Sequence, residues 1–216
     1  MIPVRAVMPS RSFPAVTVLL MALHAAVFLY ERWSGALLPR GLANEAGGLA
    51  ALAEAIVHDS ALRLAADMAA LWLFGENVED RTGRARFAVF YLLCGLAAAI
   101  GSVAADQASL IRAIGASGAA AGVIGAHLAL FPQSRVLLLV PVPPAWTTEV
   151  PALALAAFWA ALHLALGVLP AMIAEDAPLW STGASGIVVA MAAGAIAVRA
   201  FTRRERMRPE WWHDRG

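Results

Sequence analysis

Apolar runs of membrane length dominate this chain of 216 residues and limit its possible folds more than any other feature. Stretches of about 18 or more mainly apolar residues, enough to cross the hydrocarbon of a bilayer, recur between Pro14 and Phe201. The chain is 61% hydrophobic and only 14% charged, whereas soluble domains are about half apolar and about a quarter charged. The sequence therefore predicts an all-α, multi-pass membrane protein and excludes a soluble globular domain.

Six candidate spans follow from the apolar pattern. They are Phe13–Tyr30, Ala61–Gly75, Phe87–Ala105, Ile114–Phe131, Pro151–Leu169 and Trp180–Phe201. The second is short and carries charge, and about 20 residues are needed to cross the bilayer. We therefore expect its helix to extend into the flanking residues or to be shielded by other helices, and to lie centrally in the bundle.

The placement of arginine predicts the orientation. Most of the 16 basic residues, all of them arginine, fall in the N-terminal segment, the second and fourth connections and the C-terminal tail. Cytoplasmic loops carry such an excess, so both termini are predicted to be cytoplasmic. The predicted organisation is a cytoplasmic segment over residues 1–12, a six-helix membrane domain over 13–201 and a basic cytoplasmic tail over 202–216. The all-arginine, alanine-rich composition favours a GC-rich bacterium and its cytoplasmic membrane.

One serine stands between glycines at the start of the fourth span, in the sequence Gly115-Ala-Ser117-Gly118. A hydroxyl in this setting, at the outer end of its helix, is a candidate nucleophile. The same serine belongs to a ridge of small residues, which lets membrane helices approach closely, and a serine there can simply bond a neighbouring backbone. The serine alone leaves both interpretations open.

Several motifs, spread over the chain from about Pro14 to Val198, resemble those of the rhomboid family of intramembrane serine proteases. They are Trp72-Leu-Phe-Gly75 with Glu79 and Gly83, Arg86-Phe-Ala-Val-Phe-Tyr91 with Gly95, Gly115-Ala-Ser-Gly118 with Gly122, Gly125 and Phe131-Pro132, and Gly186 in the sixth span. The resemblance implies a six-helix bundle with Ser117 as nucleophile and a histidine base on the sixth helix. It also implies an oxyanion site, formed by a histidine and an asparagine one turn apart on the second helix. We expect no cofactor and no metal.

Three positions depart from the family pattern. Gly183 stands where the base histidine is expected, because Gly186 fits the glycine that follows that histidine. On the second helix Arg63 replaces the donor histidine and Asp67 replaces the donor asparagine. Arg63 could still donate hydrogen bonds, whereas an ionised Asp67 only accepts them and would repel an oxyanion. Arg63 and Asp67 are four residues apart on one helix face, and we expect them to form a salt bridge.

Three histidines inside the spans are interpreted as structural. His127 follows Ser117 by ten positions, which places it about 15 Å further along the same helix. His24 and His163 lie in the first and fifth spans, where a satisfied histidine in the bundle interior or at the interface is the expected role. None of the three is predicted to act as the base.

Two residues are left as alternative bases. His58 precedes the second span at about the depth of Ser117, although its counterpart in the family is structural. Asp67 would have to approach Ser117 closely and become more basic through burial. The main prediction is that nothing within reach of the Ser117 hydroxyl can take its proton.

Three functions are compatible with these residues. The preferred one is a pseudoprotease that binds transmembrane helices of client proteins without cleaving them, because a base and an oxyanion donor each contribute about 100-fold or more to the rate. The second is an active intramembrane serine endopeptidase that uses Ser117 with a non-standard base. The third is an unrelated transporter or lipid-binding bundle in which Arg63 and Asp67 line a polar pathway. The expected partners are transmembrane segments and the lipid bilayer, and the scattered arginines argue against nucleic acid.

Overall fold

The computed structural model describes residues 2–6, 12–35, 58, 60–105, 116–140, 146–173 and 184–202. In chain order the elements are β1 (Ile2–Ala6), α1 (Ala15–Ser34), α2 (Ala61–Ala70), a π-helical turn (Leu71–Gly75), α3 (Glu76–Thr82), α4 (Arg84–Ala105), α5 (Ala116–Leu130), β2 (Arg135–Val140), β3 (Trp146–Pro151), α6 (Ala152–Ile173) and α7 (Ala184–Phe201). Each of the six predicted apolar stretches thus contains a helix, which confirms the helical core of the predicted fold.

Over the residues whose side chains the structure describes, two helices are long and apolar enough to span a membrane. The stretches Ala15–Ser34 and Arg84–Gly101 have the length and the apolar composition for it. The shorter apolar helices are Ser117–Leu130, Ala152–Leu166 and Gly186–Phe201. The count of six spans and the cytoplasmic placement of both termini therefore stay predictions.

The second span extends beyond its apolar run, as predicted. Ser60 begins α2, because its hydroxyl accepts the backbone N–H of Arg63 at 3.3 Å and caps the helix. The helix continues without a break through the π-helical turn into α3, which ends at Gly83 with a φ of 83°. Leu71 and Phe74 in the turn are each only 1% exposed. The segment is therefore central in the bundle, and burial among other helices compensates for its short apolar length.

A buried carboxylate joins this second segment to the start of the first helix. Glu79 on α3 is 2% exposed, and its oxygens accept the backbone N–H groups of Val16 at 3.0 Å and Thr17 at 2.8 Å. The Thr17 hydroxyl donates to the same carboxylate at 2.8 Å. The first N–H groups of a helix lack partners within it and carry partial positive charge. A carboxylate from another helix supplies both the missing acceptor and a compensating negative charge.

Helices α4, α5 and α7 form the tightly packed centre. Their contact surfaces carry glycine and alanine, and α5 and α7 touch through backbone: a Cβ on Gly194 would overlap the carbonyl of Gly122, and one on Gly125 would overlap the carbonyl of Met191. Small residues allow this approach between membrane helices. The close helix approach predicted from the small-residue ridge of the fourth span, now α5, is confirmed along this stretch.

A three-stranded antiparallel sheet in the order β1-β2-β3 was missed by the prediction of an all-α chain. Strand β2 pairs with β3 in a regular register from Arg135 opposite Pro151 to Val140 opposite Trp146, and β1 pairs along its other edge. The stretch Val136-Leu-Leu-Leu-Val140 is too short for a span and rich in strand-favouring residues. The segment predicted to be a simple N-terminal extension, residues 1–12, therefore supplies an edge strand.

We predict that replacing Glu79 destabilises the protein through the start of α1. Glu79→Ala leaves buried N–H groups of α1 without an acceptor and should lower the free energy of unfolding by about 2–3 kcal/mol, with Glu79→Gln intermediate. Asp80→Asn is the matched control, because among the described residues Asp80 accepts an exposed hydrogen bond from Ser12 at 2.8 Å, and its replacement should change stability by about 0.5 kcal/mol or less. Denaturant unfolding in detergent micelles measures both. Equal effects of Glu79→Ala and Asp80→Asn would contradict the capping role.

Candidate functional site

The candidate site is built around one buried carboxylate on α2. Asp67 is 1% exposed and lies two turns into the helix that Ser60 caps. A charge among membrane helices is strongly disfavoured unless polar groups surround it. The contacts of Asp67 therefore determine how the surrounding helices fit together.

Two side chains contact the Oδ2 oxygen of Asp67. The hydroxyl of Ser117, in the first turn of α5, donates to Oδ2 at 2.7 Å. The Nε2 nitrogen of His58, in the segment before α2, lies 3.1 Å from the same oxygen. Because a carboxylate has no hydrogen to give, the His58 Nε2 carries the hydrogen of this bond.

Two side chains of α6 contact the other oxygen. The indole N–H of Trp159 donates to Oδ1 of Asp67 at 3.2 Å. The Nε2 nitrogen of His163 lies 3.0 Å from Oδ1, off the line of a straight hydrogen bond, so this contact is electrostatic. The His163 ring stacks on Trp159 with 4.0 Å between centroids and directs its Nδ1 at the Trp159 carbonyl at 3.0 Å. Both nitrogens of His163 thus face acceptor oxygens.

These five residues are called the Asp67 cluster from here on. They are Asp67, His58, Ser117, Trp159 and His163. A carboxylate offers about four lone-pair sites, and here each of its oxygens has two neighbours. The carboxylate therefore accepts three hydrogen bonds and has one further electrostatic contact within the part of the chain that the structure describes.

The polar contacts continue from the Asp67 cluster towards α1 and α4. The ring of His58 meets that of His24 edge to face, with 5.4 Å between centroids. His24 directs Nδ1 at the carbonyl of Leu20 at 2.6 Å, and its Nε2 lies 3.1 Å from the hydroxyl of Tyr91. His24 is thus a satisfied interior histidine, as predicted, and it supports the ring that contacts Asp67.

The prediction that Ser117 has no proton acceptor is wrong, because the carboxylate of Asp67 lies 2.7 Å from its hydroxyl. The interpretation of Ser117 as a serine bonded to a neighbouring backbone is replaced by this side-chain bond. The predicted salt bridge between Arg63 and Asp67 is also wrong: among the described residues the carboxylate contacts the other members of the Asp67 cluster. Arg63 lies one turn nearer the start of α2 and is half-buried, whereas Asp67 faces the interior.

The remaining predicted positions divide into those that the structure describes and those that it does not. Gly118 and Gly186 are buried, and a Cβ on Gly118 would overlap that of Ala98 on α4. Gly115 and Gly183 lie outside the described residues, so the replacement of the base histidine by Gly183 stays a prediction from the sequence. His127 is buried and lies 2.9 Å from the Ser134 hydroxyl, at the far end of α5 from Ser117.

His163 and Trp159 are the members of the site that sequence reasoning missed. His163 was interpreted as a structural histidine, and Trp159 was not singled out. A signal was present: the two polar-tipped aromatic residues are four positions apart in an apolar helix and so share one face. Which neighbour that face meets depends on how α6 is rotated against α2, which local spacing does not determine.

The arrangement limits what Ser117 can do chemically. To accept the proton of Ser117, Oδ2 would have to keep it beside the N–H of His58, which needs the same oxygen as an acceptor. The carboxylate also stands at the position of the expected oxyanion donor, so an ionised Asp67 would face the developing negative charge. Within the described residues no three His, Cys, Asp or Glu side chains are arranged to hold a metal ion.

Comparison with known proteins places these residues in a family context. The Rhomboid domain model matches residues 48–177, which include all five members of the Asp67 cluster. The chain is 34% identical over 97 residues to Rhomboid protein 1, mitochondrial, of Saccharomyces cerevisiae strain ATCC 204508 / S288c. That alignment covers 43% of this chain and 28% of the yeast protein, so the chain matches much less than two thirds of this relative. No solved structure matches the chain.

We predict that the Asp67 cluster contributes strongly to stability. Asp67→Asn puts an amide N–H₂ where donors already point, so one contact becomes repulsive, and the free energy of unfolding should fall by about 2–3 kcal/mol. Trp159→Phe removes one N–H and keeps an aromatic ring, and it should lower the free energy of unfolding by about 1 kcal/mol. The control is Glu149→Gln, which alters a half-exposed pair with Arg135 at 3.8 Å and should change little. Denaturant unfolding in micelles measures the free energy of unfolding of each variant. An effect of Asp67→Asn no larger than that of Glu149→Gln would contradict the prediction.

Proposed function

Because the chain belongs to the rhomboid family of membrane proteins, we propose that it binds transmembrane helices of client proteins without cleaving them. The observation that carries the proposal is the carboxylate of Asp67, which already accepts three hydrogen bonds among the described residues, one of them from the Ser117 hydroxyl. Family membership argues against the third function considered from the sequence, an unrelated transporter or lipid-binding bundle. The Arg63–Asp67 pair on which that function depends is also not formed.

Two losses combine to support a non-cleaving role. The family resemblance implies a histidine base where this chain has Gly183, and an asparagine donor where it has Asp67. One carboxylate would have to replace both, first by taking the proton of Ser117 and then by facing the oxyanion that forms on the attacked carbonyl. It would also have to do so while three other side chains hold it in place.

The same geometry favours one alternative, a serine endopeptidase in which Asp67 is the base. Ser117 and Asp67 are already at the 2.7 Å separation that direct proton transfer requires. A proton taken by Asp67 could then pass to the leaving amine of a cleaved peptide. This alternative differs from the main proposal in requiring that Ser117 reacts.

The membrane arrangement is part of the proposal. We infer six spans with both termini in the cytoplasm, which puts Ser117 and the start of α2 at the outer side, and we propose the cytoplasmic membrane of a bacterium as the location. The arginine distribution and the alanine-rich composition support this arrangement. Transmembrane segments and the lipid bilayer are the proposed partners.

The test is the reactivity of Ser117 towards a fluorophosphonate probe. The purified protein should not be labelled, whereas the triple substitution Gly183→His, Arg63→His and Asp67→Asn, which restores the family's base and donors, should recover labelling. Adding Ser117→Ala to the triple variant should abolish it again, which controls for labelling elsewhere. Strong labelling of the unchanged protein that both Ser117→Ala and Asp67→Asn remove would contradict the proposal and establish the Ser117–Asp67 alternative.

A further inference from the structure

We propose that Asp67 selects the clients: transmembrane helices with one lysine or arginine at the depth of Asp67 dock at the place that α6 now covers. This inference rests on the proposed client binding and adds the chemistry by which clients are chosen. It follows from how α6 is attached to the rest of the bundle.

Helix α6 presents one buried face, and that face is mostly alanine and polar side chains. Over residues 152–166, where its side chains are described, the buried ones are Ala152, Ala156, Trp159 and His163. The two alanines lie in its first turns, where the Ala152 N–H donates to the Ser134 carbonyl at 2.9 Å. Trp159 and His163 follow, and both contact Asp67. The start of α6 is thus tied to the strands by backbone, and its middle is held by polar contacts with one carboxylate.

The side of α6 that faces α5 and α7 is loosely filled. An open apolar groove of about 530 Å³ lies between the three helices, lined among others by Ala160 and Leu164 of α6, Gly125 of α5 and Met191 of α7. Close apolar packing therefore does not fix α6 on that side. Its contacts with Asp67 are the specific attachment of this part of the helix.

Movement of α6 away from α2 would leave the carboxylate half occupied. Trp159 and His163 would leave Oδ1, while Ser117 and His58 would stay on Oδ2. An incompletely surrounded charge is strongly disfavoured among membrane helices. A helix that takes the place of α6 is therefore favoured when it brings a cation or N–H donors to Oδ1, and a purely apolar helix is not.

The complementary group on a client is a basic side chain. Lysine and arginine carry several N–H donors and a positive charge, and they need a counterion as much as Asp67 does within the hydrocarbon. Asp67 lies six residues after the start of α2, or about 9 Å along the helix axis. A single lysine or arginine at about this distance below the outer end of a client helix would meet it.

The experiment uses the full-length protein in vesicles of zwitterionic phosphatidylcholine, so that anionic lipid does not attract the basic peptide. Single-span peptides of leucine and alanine, with either one lysine or one leucine at the stated depth, carry a fluorophore for energy transfer to the labelled protein. We expect the lysine peptide to bind roughly tenfold tighter or more. Asp67→Asn should remove this preference, while Glu149→Gln, in the exposed strand pair with Arg135, should keep it.

A second variant covers the case in which Asp67→Asn fails to fold. Trp159→Phe removes one competing donor and keeps the aromatic ring, so α6 is displaced more easily and both peptides should bind more tightly, with the preference for the lysine peptide kept. Equal binding of the two peptides to the unchanged protein would overturn the selection by Asp67 and leave client binding standing. Binding of neither peptide would overturn both proposals.

Discussion

A carboxylate that is ionised among membrane helices must be surrounded by hydrogen-bond donors, and the Asp67 cluster is how this chain meets that requirement. The donors come from three separate parts of the chain: His58 before α2, Ser117 at the start of α5, and Trp159 with His163 on α6. Hydrocarbon contacts between helices do not distinguish one rotation of a helix from another as sharply as these directional contacts do. The mutual placement of α2, α5 and α6 near Ser117 therefore depends on Asp67.

The same contacts explain why the chain keeps a serine where the family resemblance implies a nucleophile. In a protease the hydroxyl must lose its proton and its oxygen must attack a carbonyl. Here the hydroxyl is one of the donors to the carboxylate, and in the proposed function this structural contact is its role. In the proposed function, α6 and a client helix compete for the carboxylate of Asp67.

Much of the fold could be predicted from the sequence because long apolar runs and small-residue ridges are local patterns. The helices lie where the apolar runs predicted them, and Gly122 and Gly194 bring α5 and α7 together as expected. The sheet was missed because strand pairing is a long-range property: β1 and β2 are separated by four of the predicted spans.

The candidate site was predicted only in part for a related reason. The i, i+4 rule linked Asp67 to Arg63 on the same helix, whereas partners from other helices occupy the carboxylate in the structure. Local spacing cannot decide between a partner on the same helix and a partner that tertiary packing brings from another helix. Sequence reasoning therefore identified Ser117 and Asp67 as positions of interest, but it held their direct contact only as an alternative to the Arg63–Asp67 salt bridge.

The most direct test of the account is a double-mutant cycle between Ser117→Ala and Asp67→Asn, read as the free energy of unfolding in micelles. If the hydroxyl is a structural donor to the carboxylate, the two substitutions should be coupled by about 1–3 kcal/mol. Strictly additive effects would mean that the hydroxyl and the carboxylate do not stabilise each other, and would contradict the central role given to Asp67.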